Sequence, residues 1–270
     1  MDAPKLTASS LEIESRVATL TFDRDDVRNE LTGTGLVNDI VDSVAWCNRN
    51  AEISVLVMTG AGSAFSAGGN IKDMRDRKGS FGGTPVELQD TYRRGIQQMP
   101  LALHGAEIPL IAAVNGPAIG AGMDLACMCD LRIGSTKARL GETFINLGII
   151  PGDGGAWFLQ RLIGYQRAAE LTLTGRIVGA EEALQLGILM EVVEPDELMP
   201  RALELAHSIA AKPPVTTRFT KRLLKMAQRE QLQDFLDLCA ALQSMCHHTE
   251  DHLEAVNAFL EKRSAVYLCR

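Results

Sequence analysis

The stretch IAAVNGPAIGAGMDLACMCD, residues 111–130, decides the fold. Its first four residues, 111–114, are uniformly apolar, which is typical of a strand buried on both faces. The Asn-Gly-Pro segment at 115–117 consists of turn residues and predicts the end of that strand. A second apolar run, at residues 123–129, predicts a helix. The stretch is therefore expected to fold as strand, turn and helix within an α/β core.

The turn between this strand and helix favours a bound negative charge. Residues 120–122, Gly-Ala-Gly, carry almost no side chain, so a ligand can approach their backbone N–H groups closely. The free N–H groups of the first helical turn and the positive end of the helix dipole point at the same place. Asp124 is the ionisable residue of that turn. The pattern predicts a site that stabilises developing negative charge, with one acid beside it.

Predicted strands and helices alternate along the chain up to about residue 195. Strands are predicted at residues 11–22 (a hairpin that turns near 14–16), 54–59, 111–114, 129–133, 138–140, 175–178 and 189–193. Helices are predicted at residues 33–49, from 70, at 86–103, after the turn at 148–157 through 171, and at 180–186. From residue 197 only helices are expected, with Pro213 and Pro214 separating the first two. We therefore expect an α/β core at 1–195 and a helical part at 196–270.

Composition and charge restrict the partners of the chain. The formal net charge of −7 argues against nucleic acid or an anionic membrane as a partner. The N-terminus lacks the pattern of a signal peptide, and no apolar run approaches the ~20 residues that span a bilayer. These features predict a cytoplasmic protein without a membrane partner. The six cysteines form no Cys-x-x-Cys pair, so free buried thiols are expected, and neither disulfides nor zinc ligands.

The chain has several glycine-rich turns, but none matches a nucleotide-binding motif. Gly60 and Gly62 are followed by Phe65 where a dinucleotide-binding motif has its third glycine. Leu125 occupies that place after the turn at 120–122. No turn ends in Gly-Lys-Ser or Gly-Lys-Thr, so the sequence also excludes a phosphate-binding loop of that type.

Ser66 supports an alternative as a serine hydrolase. The segment AFSAG at 64–68 differs by one residue from a nucleophile elbow and lies between a predicted strand and a predicted helix. A nucleophilic serine needs a histidine partner, and most of the histidines fall in helices of the second half: they are His104, His207, His247, His248 and His252. A small residue in a tight turn is the favoured interpretation of Ser66.

One histidine pair raises the question of a metal site. His248 and His252 are four residues apart and are expected on one face of one helix, where they could bind a metal ion. The sequence offers no further ligands for a complete coordination shell. A solvated polar helix face is therefore favoured, and we expect no metal.

Five blocks of sequence stand out when the chain is taken as a whole. They are AFSAGGNIKDM at 64–74, IAAVNGPAIGAGMDLACMCD at 111–130, LGIIPGDGGAWFLQRLIG at 147–164, LTGRIVGAEEALQLGILMEVV at 173–193 and FLEKR at 259–263. In this order and spacing they resemble the crotonase (enoyl-CoA hydratase/isomerase) superfamily. The resemblance implies an α/β fold, a spiral of repeated strand–strand–helix units, with a helical C-terminal part that forms homotrimers, often paired into hexamers.

The resemblance also implies an acyl-CoA thioester as ligand and no cofactor, because CoA is part of the substrate. The step shared by the superfamily is the stabilisation of a thioester enolate by two backbone N–H groups. By motif position these belong to Gly69 and Ala121. Such donors each lower a barrier by on the order of 3–4 kcal/mol. The residues implied to bind substrate are Ala67, Gly68, Asn70, Ile71, Lys72, Gly120 and Phe144.

The resemblance is weaker at the nucleotide end of CoA. A Pro-Lys pair is common at the first CoA-contacting turn of the superfamily, and this chain has Asp25 and Asp26 there. Lys262 or Arg263 of a neighbouring subunit is implied to approach the nucleotide. Phosphate contacts are therefore not assigned to the first turn.

The acids of this chain depart from the hydratase pattern. Hydration in the superfamily uses two carboxylates on one water, one to deprotonate it and one to protonate the α-carbon. Asp124 takes the first position, with a side chain about 1.5 Å shorter than glutamate. Phe144 takes the second and cannot transfer a proton. Glu142 shares a face with Phe144 if that segment is extended, and Asp153 follows in the segment PGDGG.

These departures leave three functions open. Glu142 or Asp153 could replace the missing second acid, but either residue could also have only a structural role. A solvated or turn-capping role is favoured for Glu142, and for Asp153 the two roles are balanced. A hydratase would use Asp124 with Glu142 or Asp153. A double-bond isomerase needs one base, and Asp124 alone would serve. A catalytically weak acyl-CoA-binding protein is the third possibility, and the sequence does not identify the acyl group.

Overall fold

The computed structural model describes residues 2–269 and has a mixed α/β architecture. The strands are β1 (Ser9–Glu14), β2 (Val17–Phe22), β3 (Val55–Gly60), β4 (Leu110–Val114), β5 (Pro117–Ile119), β6 (Leu131–Ser135), β7 (Arg139–Gly141), β8 (Val178–Gly179) and β9 (Glu191–Val193). The helices are α1 (Leu36–Arg49), α2 (Ile71–Asp76), α3 (Pro85–Arg94), α4 (Gln98–His104), α5 (Ala121–Met128), α6 (Gly155–Ile163), α7 (Tyr165–Thr174), α8 (Ala180–Leu186), α9 (Leu198–Ala210), α10 (Pro214–Met226), α11 (Leu232–His247) and α12 (Glu250–Glu261). Short 3-10 helices lie at Asp25–Val27, Gly79–Phe81, Thr143–Leu147 and Pro195–Glu197.

The larger sheet has the strand order β1-β2-β3-β4-β6-β9. β1 and β2 form the expected antiparallel hairpin, and the other neighbouring pairs are parallel. Every residue of β3 and β4 is buried, which explains their continuous apolar sequences. Side chains such as Val57 and Ile111 pack with Ala202 of α9 on one face. The other face contributes to the main apolar core, which also contains residues of α1 and α5.

The smaller sheet, in the order β5-β7-β8, fixes the start of α5. β5 pairs in parallel with β7, and the N–H of Gly120, directly after β5, donates to the carbonyl oxygen of Gly141 at 2.8 Å. Gly120 has a φ of +54°, in the region that favours glycine. The chain turns at this glycine and α5 begins at Ala121, two residues before the expected position.

The α/β class and the helical C-terminal part are confirmed, and most differences concern the ends of elements. The strand expected from residue 129 begins at Leu131, and the strand expected at 175–178 is reduced to Val178–Gly179. One difference affects the site. The segment after β7 is not extended, because it forms the 3-10 helix Thr143–Leu147. Glu142 and Phe144 therefore do not share a strand face, and that expectation is wrong.

Two basic side chains of α10 attach the C-terminal helices to the core. The guanidinium group of Arg218 donates to carbonyl oxygens at and just after the end of α1, those of Cys47, Asn50 and Ile53, at 3.0, 3.1 and 3.2 Å. The ammonium group of Lys221 is buried and lies 2.6 Å from the carboxylate of Asp130. The division at residue 195 falls just before α9, which covers the larger sheet, and it stays a prediction.

The predicted pairing of two histidines on one helix face is wrong. α11 ends at His247, and the side chain of Thr249 accepts a hydrogen bond from the N–H of His252 to begin α12. This break separates His248 from His252. Nε2 of His252 lies 3.0 Å from Nδ1 of His247 instead. Across residues 2–269, no group of three or more His, Cys, Asp or Glu residues is arranged to hold a metal ion.

The six cysteines are all free thiols, as expected. Three of them are buried and three are partly exposed: the buried ones are Cys47, Cys127 and Cys129. Burial raises the pKa of each of these three thiols to about 12, so they stay protonated. The helices described between residues 2 and 269 include none long and apolar enough to cross a bilayer.

Candidate active site

One cavity of about 240 Å³ brings together four residues that the sequence singled out. Gly69 and Ala121, the expected N–H donors, line it together with Phe144 and Asp153. Its apolar wall includes Leu31, Val37, Met74, Phe81, Ile96, Ile149 and Ile150. Its polar lining includes Thr32, Thr34, Asn38, Ser80, Thr91 and Tyr92. A mostly apolar pocket with a few polar groups is typical of a site for a small organic ligand.

The two glycine-rich turns that carry Gly69 and Ala121 pack against each other through their backbones. A Cβ atom on Gly122 would overlap the carbonyl oxygen of Ser66. A Cβ atom on Gly68 would likewise overlap a backbone carbonyl oxygen of β5. Glycine at these two positions allows the close approach, and the approach brings the backbones of residues 69 and 121 to one cavity.

Asp124 is completely buried and does not line the cavity. From the first turn of α5 its carboxyl group reaches the start of α6, where it contacts the backbone of Gly155. Burial raises the pKa of Asp124 well above its ordinary value, and the nearby carboxyl groups of Asp153 and Glu142 raise it further. The raised pKa favours the protonated form of Asp124.

Asp124, Glu142 and Asp153 form a cluster of three carboxyl groups. The carboxyl groups of Glu142 and Asp153 lie close enough to that of Asp124 to raise its pKa. Burial raises the pKa of Glu142 and of Asp153, and the neighbouring carboxyl group of Asp124 partly offsets this rise. In the described part of the chain, neither oxygen of Asp124 receives a hydrogen bond from an N–H group or a hydroxyl. The raised pKa values of the three acids favour a proton shared within the cluster.

Glu142 and Asp153, the two candidates for the missing second acid, lie in different environments. Glu142 is fully buried, its Oε2 accepts a hydrogen bond from the hydroxyl of Thr172 at 3.0 Å, and its side chain caps no helix. The solvated or turn-capping role favoured for Glu142 is therefore wrong. Asp153, which is 3% exposed, lines the cavity. Asp153 is thus the acid of the cluster that reaches the cavity.

Phe144 closes part of the cavity beside the turn at residue 120. Its ring lies 3.7 Å from the position of a Cβ atom on Gly120. The side chain is partly buried and lines the cavity, although Gly120 itself does not. The position that the resemblance gives to a second acid is therefore an apolar wall.

The other residues expected to bind substrate lie outside this cavity. They are Ala67, Gly68, Asn70, Ile71, Lys72 and Gly120. Asn70 caps α2, since its Oδ1 accepts a hydrogen bond from the N–H of Asp73 at 3.0 Å. Ile71 and Lys72 follow it on the exposed first turn of that helix. This turn directly follows Gly69, so it borders the cavity without lining it.

The residues discussed for the nucleotide end of CoA have structural partners within the chain. Oδ1 of Asp25 accepts hydrogen bonds from the N–H and the hydroxyl of Ser63, at 2.9 and 3.0 Å. Arg263 forms a bidentate ion pair with Glu254 at 2.6 and 2.8 Å. Lys262 is exposed at the end of α12.

The environment of Ser66 matches the tight-turn interpretation. The side chain is completely buried. Its hydroxyl donates to the carbonyl oxygen of Asn29 at 2.7 Å and accepts from the N–H of Gly68 at 3.2 Å. A nucleophilic serine must reach its substrate and be activated by a base. Ser66 holds two segments of backbone together instead.

Sequence reasoning missed Tyr92 and Gly155. Tyr92 lies on α3 and lines the cavity. Gly155 leaves the space that the carboxyl group of Asp124 occupies. Helical periodicity identifies the helix that carries Tyr92, but it cannot show that this helix meets the loop at residues 149–153. The segment PGDGG did contain a signal, because its glycines lie in the predicted turn at 148–157, where the lack of side chains allows close packing.

Known proteins resemble this chain over nearly its full length. A family model described as enoyl-CoA hydratase/isomerase matches residues 12–268. The short-chain-enoyl-CoA hydratase of Clostridium acetobutylicum is 34% identical over 254 residues, which cover 94% of this chain and 94% of that protein. The crotonyl-CoA hydratase of Syntrophomonas wolfei is 34% identical over 265 residues, covering 96% of this chain and 97% of that protein. A crystal structure of enoyl-CoA hydratase from Bacillus anthracis matches with a TM-score of 0.90 at 32% identity, over 98% of this chain and 100% of that one.

Proposed function

Because this chain belongs to the enoyl-CoA hydratase/isomerase family, we propose that it adds water to the double bond of a 2-enoyl-CoA thioester. The observation that carries the proposal is the meeting of Gly69, Ala121 and Asp153 in one cavity. Two backbone N–H groups and one acid are the minimum set for forming and protonating a thioester enolate. CoA enters as part of the substrate, and the reaction needs no cofactor.

The N–H groups of Gly69 and Ala121 serve as the oxyanion hole. When the oxygen of a water molecule bonds to the β-carbon, the electron pair of the double bond moves toward the thioester oxygen. Fixed N–H donors stabilise the resulting enolate more than they stabilise the neutral carbonyl, so they lower the barrier. Glycine at 68 and 122 supports this role, because the two donors come together only when the turns are in backbone contact.

We assign the proton transfers to Asp153. Its carboxylate takes a proton from the attacking water and then gives a proton to the α-carbon, so that the net reaction adds H and OH. Burial and the nearby carboxyl groups raise the pKa of Asp124 well above its ordinary value, so we assign the proton of the buried cluster to Asp124 and the ionised form to Asp153. This assignment differs from the expectation that Asp124 itself acts on the substrate. It follows from the position of Asp153 at the cavity and of Asp124 away from it.

Isomerisation of a 3-enoyl-CoA is a second candidate activity. The observation that favours it is that Phe144, an apolar residue, lines the cavity where the superfamily has a second acid. An isomerase moves one proton from the α-carbon to the γ-carbon, and a single carboxylate can carry it. Asp153 would act alone in this reaction, with the same oxyanion hole.

Assembly and location also remain proposals. We propose a homotrimer or a hexamer, supported by exposed apolar side chains on α12 such as Phe259 and Leu260, which are 83% and 72% exposed. The cytoplasmic location and the absence of nucleic-acid and membrane partners are carried over from the sequence as predictions. Sedimentation velocity of the full chain tests the assembly, because a monomer at micromolar concentration would contradict it.

The decisive experiment for function compares two substrates with the purified chain. Crotonyl-CoA reports hydration through the loss of enoyl-thioester absorbance, and 3-hexenoyl-CoA reports isomerisation through its gain. We expect turnover of crotonyl-CoA. Turnover of 3-hexenoyl-CoA alone would replace the hydratase by the isomerase. If the chain bound both thioesters but turned over neither, the result would support the third possibility, a catalytically weak acyl-CoA-binding protein.

A further inference from the structure

Tyr92 occupies a position at the cavity that the roles assigned so far do not explain. It lies in the last turn of α3 and lines the same cavity as Gly69, Ala121 and Asp153. Its ring packs edge-on against Gly152, the residue before Asp153. A Cβ atom at position 152 would lie 3.1 Å from Cε1 of the ring, so glycine lets the ring approach the loop this closely.

Hydrogen bonds hold Tyr92 next to the loop that carries Asp153. The N–H of Gln97 donates to the carbonyl oxygen of Tyr92 at 3.0 Å, and the side-chain amide of Gln97 donates to the carbonyl oxygen of Gly152 at 2.8 Å. The tyrosine backbone, the glutamine and the loop backbone are thus linked directly. These bonds hold the backbone of α3 at residue 92 close to the loop that carries Asp153.

The charge environment keeps Tyr92 in its neutral form. Burial raises the pKa of Tyr92 above its ordinary value, and the charge of Asp153 raises it further. A phenol that stays protonated can donate one hydrogen bond and accept another. Tyr92 and Asp153 line the same cavity, and the ring of Tyr92 lies against Gly152, the residue before Asp153.

A bound water needs two or more polar partners, and Phe144 offers none beside Asp153. Asn38 and Ser80 also line the cavity, but Tyr92 is the polar residue whose ring lies against Gly152, next to Asp153. The hydroxyls of Thr34 and Thr91 donate to backbone carbonyl oxygens of their own segments. The hydroxyl of Thr32 accepts from the backbone of Asn70. In the described part of the chain, the hydroxyl of Tyr92 has no such partner.

We propose that the hydroxyl of Tyr92 binds the water molecule that Asp153 activates, and so replaces the second acid that Phe144 has displaced. Tyr92 orients the water oxygen toward the β-carbon, while the water proton passes to Asp153. The phenol keeps its own proton throughout, so the balance of the hydration step is unchanged. This inference rests on the proposed hydratase function.

The test uses Tyr92→Phe, which retains the ring against Gly152 and removes only the hydroxyl. We expect kcat for hydration of crotonyl-CoA to fall about tenfold, as for the loss of one hydrogen bond, with KM within about twofold of the wild type. Exchange of the α-protons of butyryl-CoA with solvent deuterium forms the same enolate without adding water. We expect Tyr92→Phe to exchange these protons at the wild-type rate within about twofold.

The matched control is Tyr165→Phe, the same chemical change at a tyrosine that is 77% exposed on α7. It should leave both reactions unchanged. Equal losses of hydration and exchange in Tyr92→Phe would overturn the water-binding role, and so would an unchanged hydration rate or a rise in KM alone. A wild-type chain that hydrates no enoyl-CoA would instead overturn the proposed function on which the inference rests.

Discussion

The carboxyl group of Asp124 lies directly against the backbone of Gly155, where a Cβ atom would overlap it. Two consecutive helices, α5 and α6, meet at this contact. It explains why an acid in a completely apolar helix is tolerated, since the carboxyl group occupies the space that the glycine leaves. The relationship also makes the position of the acid cluster sensitive to a single methyl group.

Gly155→Ala is expected to destabilise the chain and displace Asp124. The added methyl overlaps a buried carboxyl group, and overpacking of this kind costs about 1–3 kcal/mol. Urea unfolding measures the loss. In the double variant Gly155→Ala with Asp124→Ala the overlap is gone, so the penalty for the alanine at 155 should be much smaller. A penalty of the same size in both backgrounds would show that the contact does not cause it.

Asp153→Asn is expected to lower kcat for hydration by about a hundredfold or more, because the amide cannot take the proton of the water. The side chain keeps its size, so binding of a saturated acyl-CoA should change by no more than about twofold. The control is Asp90→Asn, which removes an exposed carboxylate paired with Arg94 on α3. If Asp153→Asn hydrated crotonyl-CoA as fast as the wild type, Asp124 and not Asp153 would be the residue that transfers the protons.

The buried acid cluster predicts how stability depends on pH. The pKa of Asp124 is raised in the folded chain, so the folded state binds more protons than the unfolded state as the pH rises above the ordinary carboxyl range. Its stabilising contribution is therefore present at low pH and is lost with rising pH. Asp124→Asn should gain stability relative to the wild type between pH 5 and 8, by up to about 1.4 kcal/mol per pH unit. Urea unfolding of the wild type and of Asp124→Asn at pH 5 and at pH 8 tests this. Asp90→Asn is the control variant, whose difference in stability from the wild type should not depend on pH.

Phe144→Glu is expected to raise kcat for hydration about tenfold, since it restores a carboxyl group at the position of the superfamily's second acid. Phe144→Gln provides the control of equal size that cannot transfer a proton. An increase in the glutamine variant as well would attribute the effect to the lost ring. No increase in the glutamate variant, in a chain that unfolds like the wild type, would contradict this role for position 144.

Ser66→Ala should separate the structural serine from a nucleophile. The loss of two buried hydrogen bonds is expected to cost about 1–3 kcal/mol of stability, measured by urea unfolding. The wild-type chain should not react with a fluorophosphonate probe. Ser208→Ala, at an exposed site on α9, is the control for stability. If the probe labelled the wild type but not Ser66→Ala, the result would support the serine-hydrolase function instead.

The strand, turn and helix at residues 111–130 could be predicted because their pattern is local. Apolar β4, the turn residues after it and the small residues at 120–122 each indicate their own conformation. The joint position of Gly69 and Ala121 could not be obtained that way. It depends on backbone contact between two turns about fifty residues apart, and only the family resemblance indicated it in advance.

The roles of the acids were harder to predict, because one short helix decides them. A strand after β7 would have placed Glu142 and Phe144 on one face, whereas the 3-10 helix puts Phe144 at the cavity and leaves Glu142 buried with Thr172. Alternation in the sequence does not distinguish these two geometries over three residues. The same limit applies to Asp153, whose access to the cavity depends on the packing of α3.

The hydrogen bonds of Arg218 to the end of α1 imply an order of events during synthesis. The guanidinium group satisfies carbonyl oxygens that lie up to 171 residues earlier in the chain. At ~5–20 residues per second, a ribosome would need roughly 10–30 s to add that length. Throughout this interval α1 lacks its final cap, so the nascent chain must wait for α10 to emerge before the first helix is complete. A contact near the start of the chain is therefore completed only late in translation.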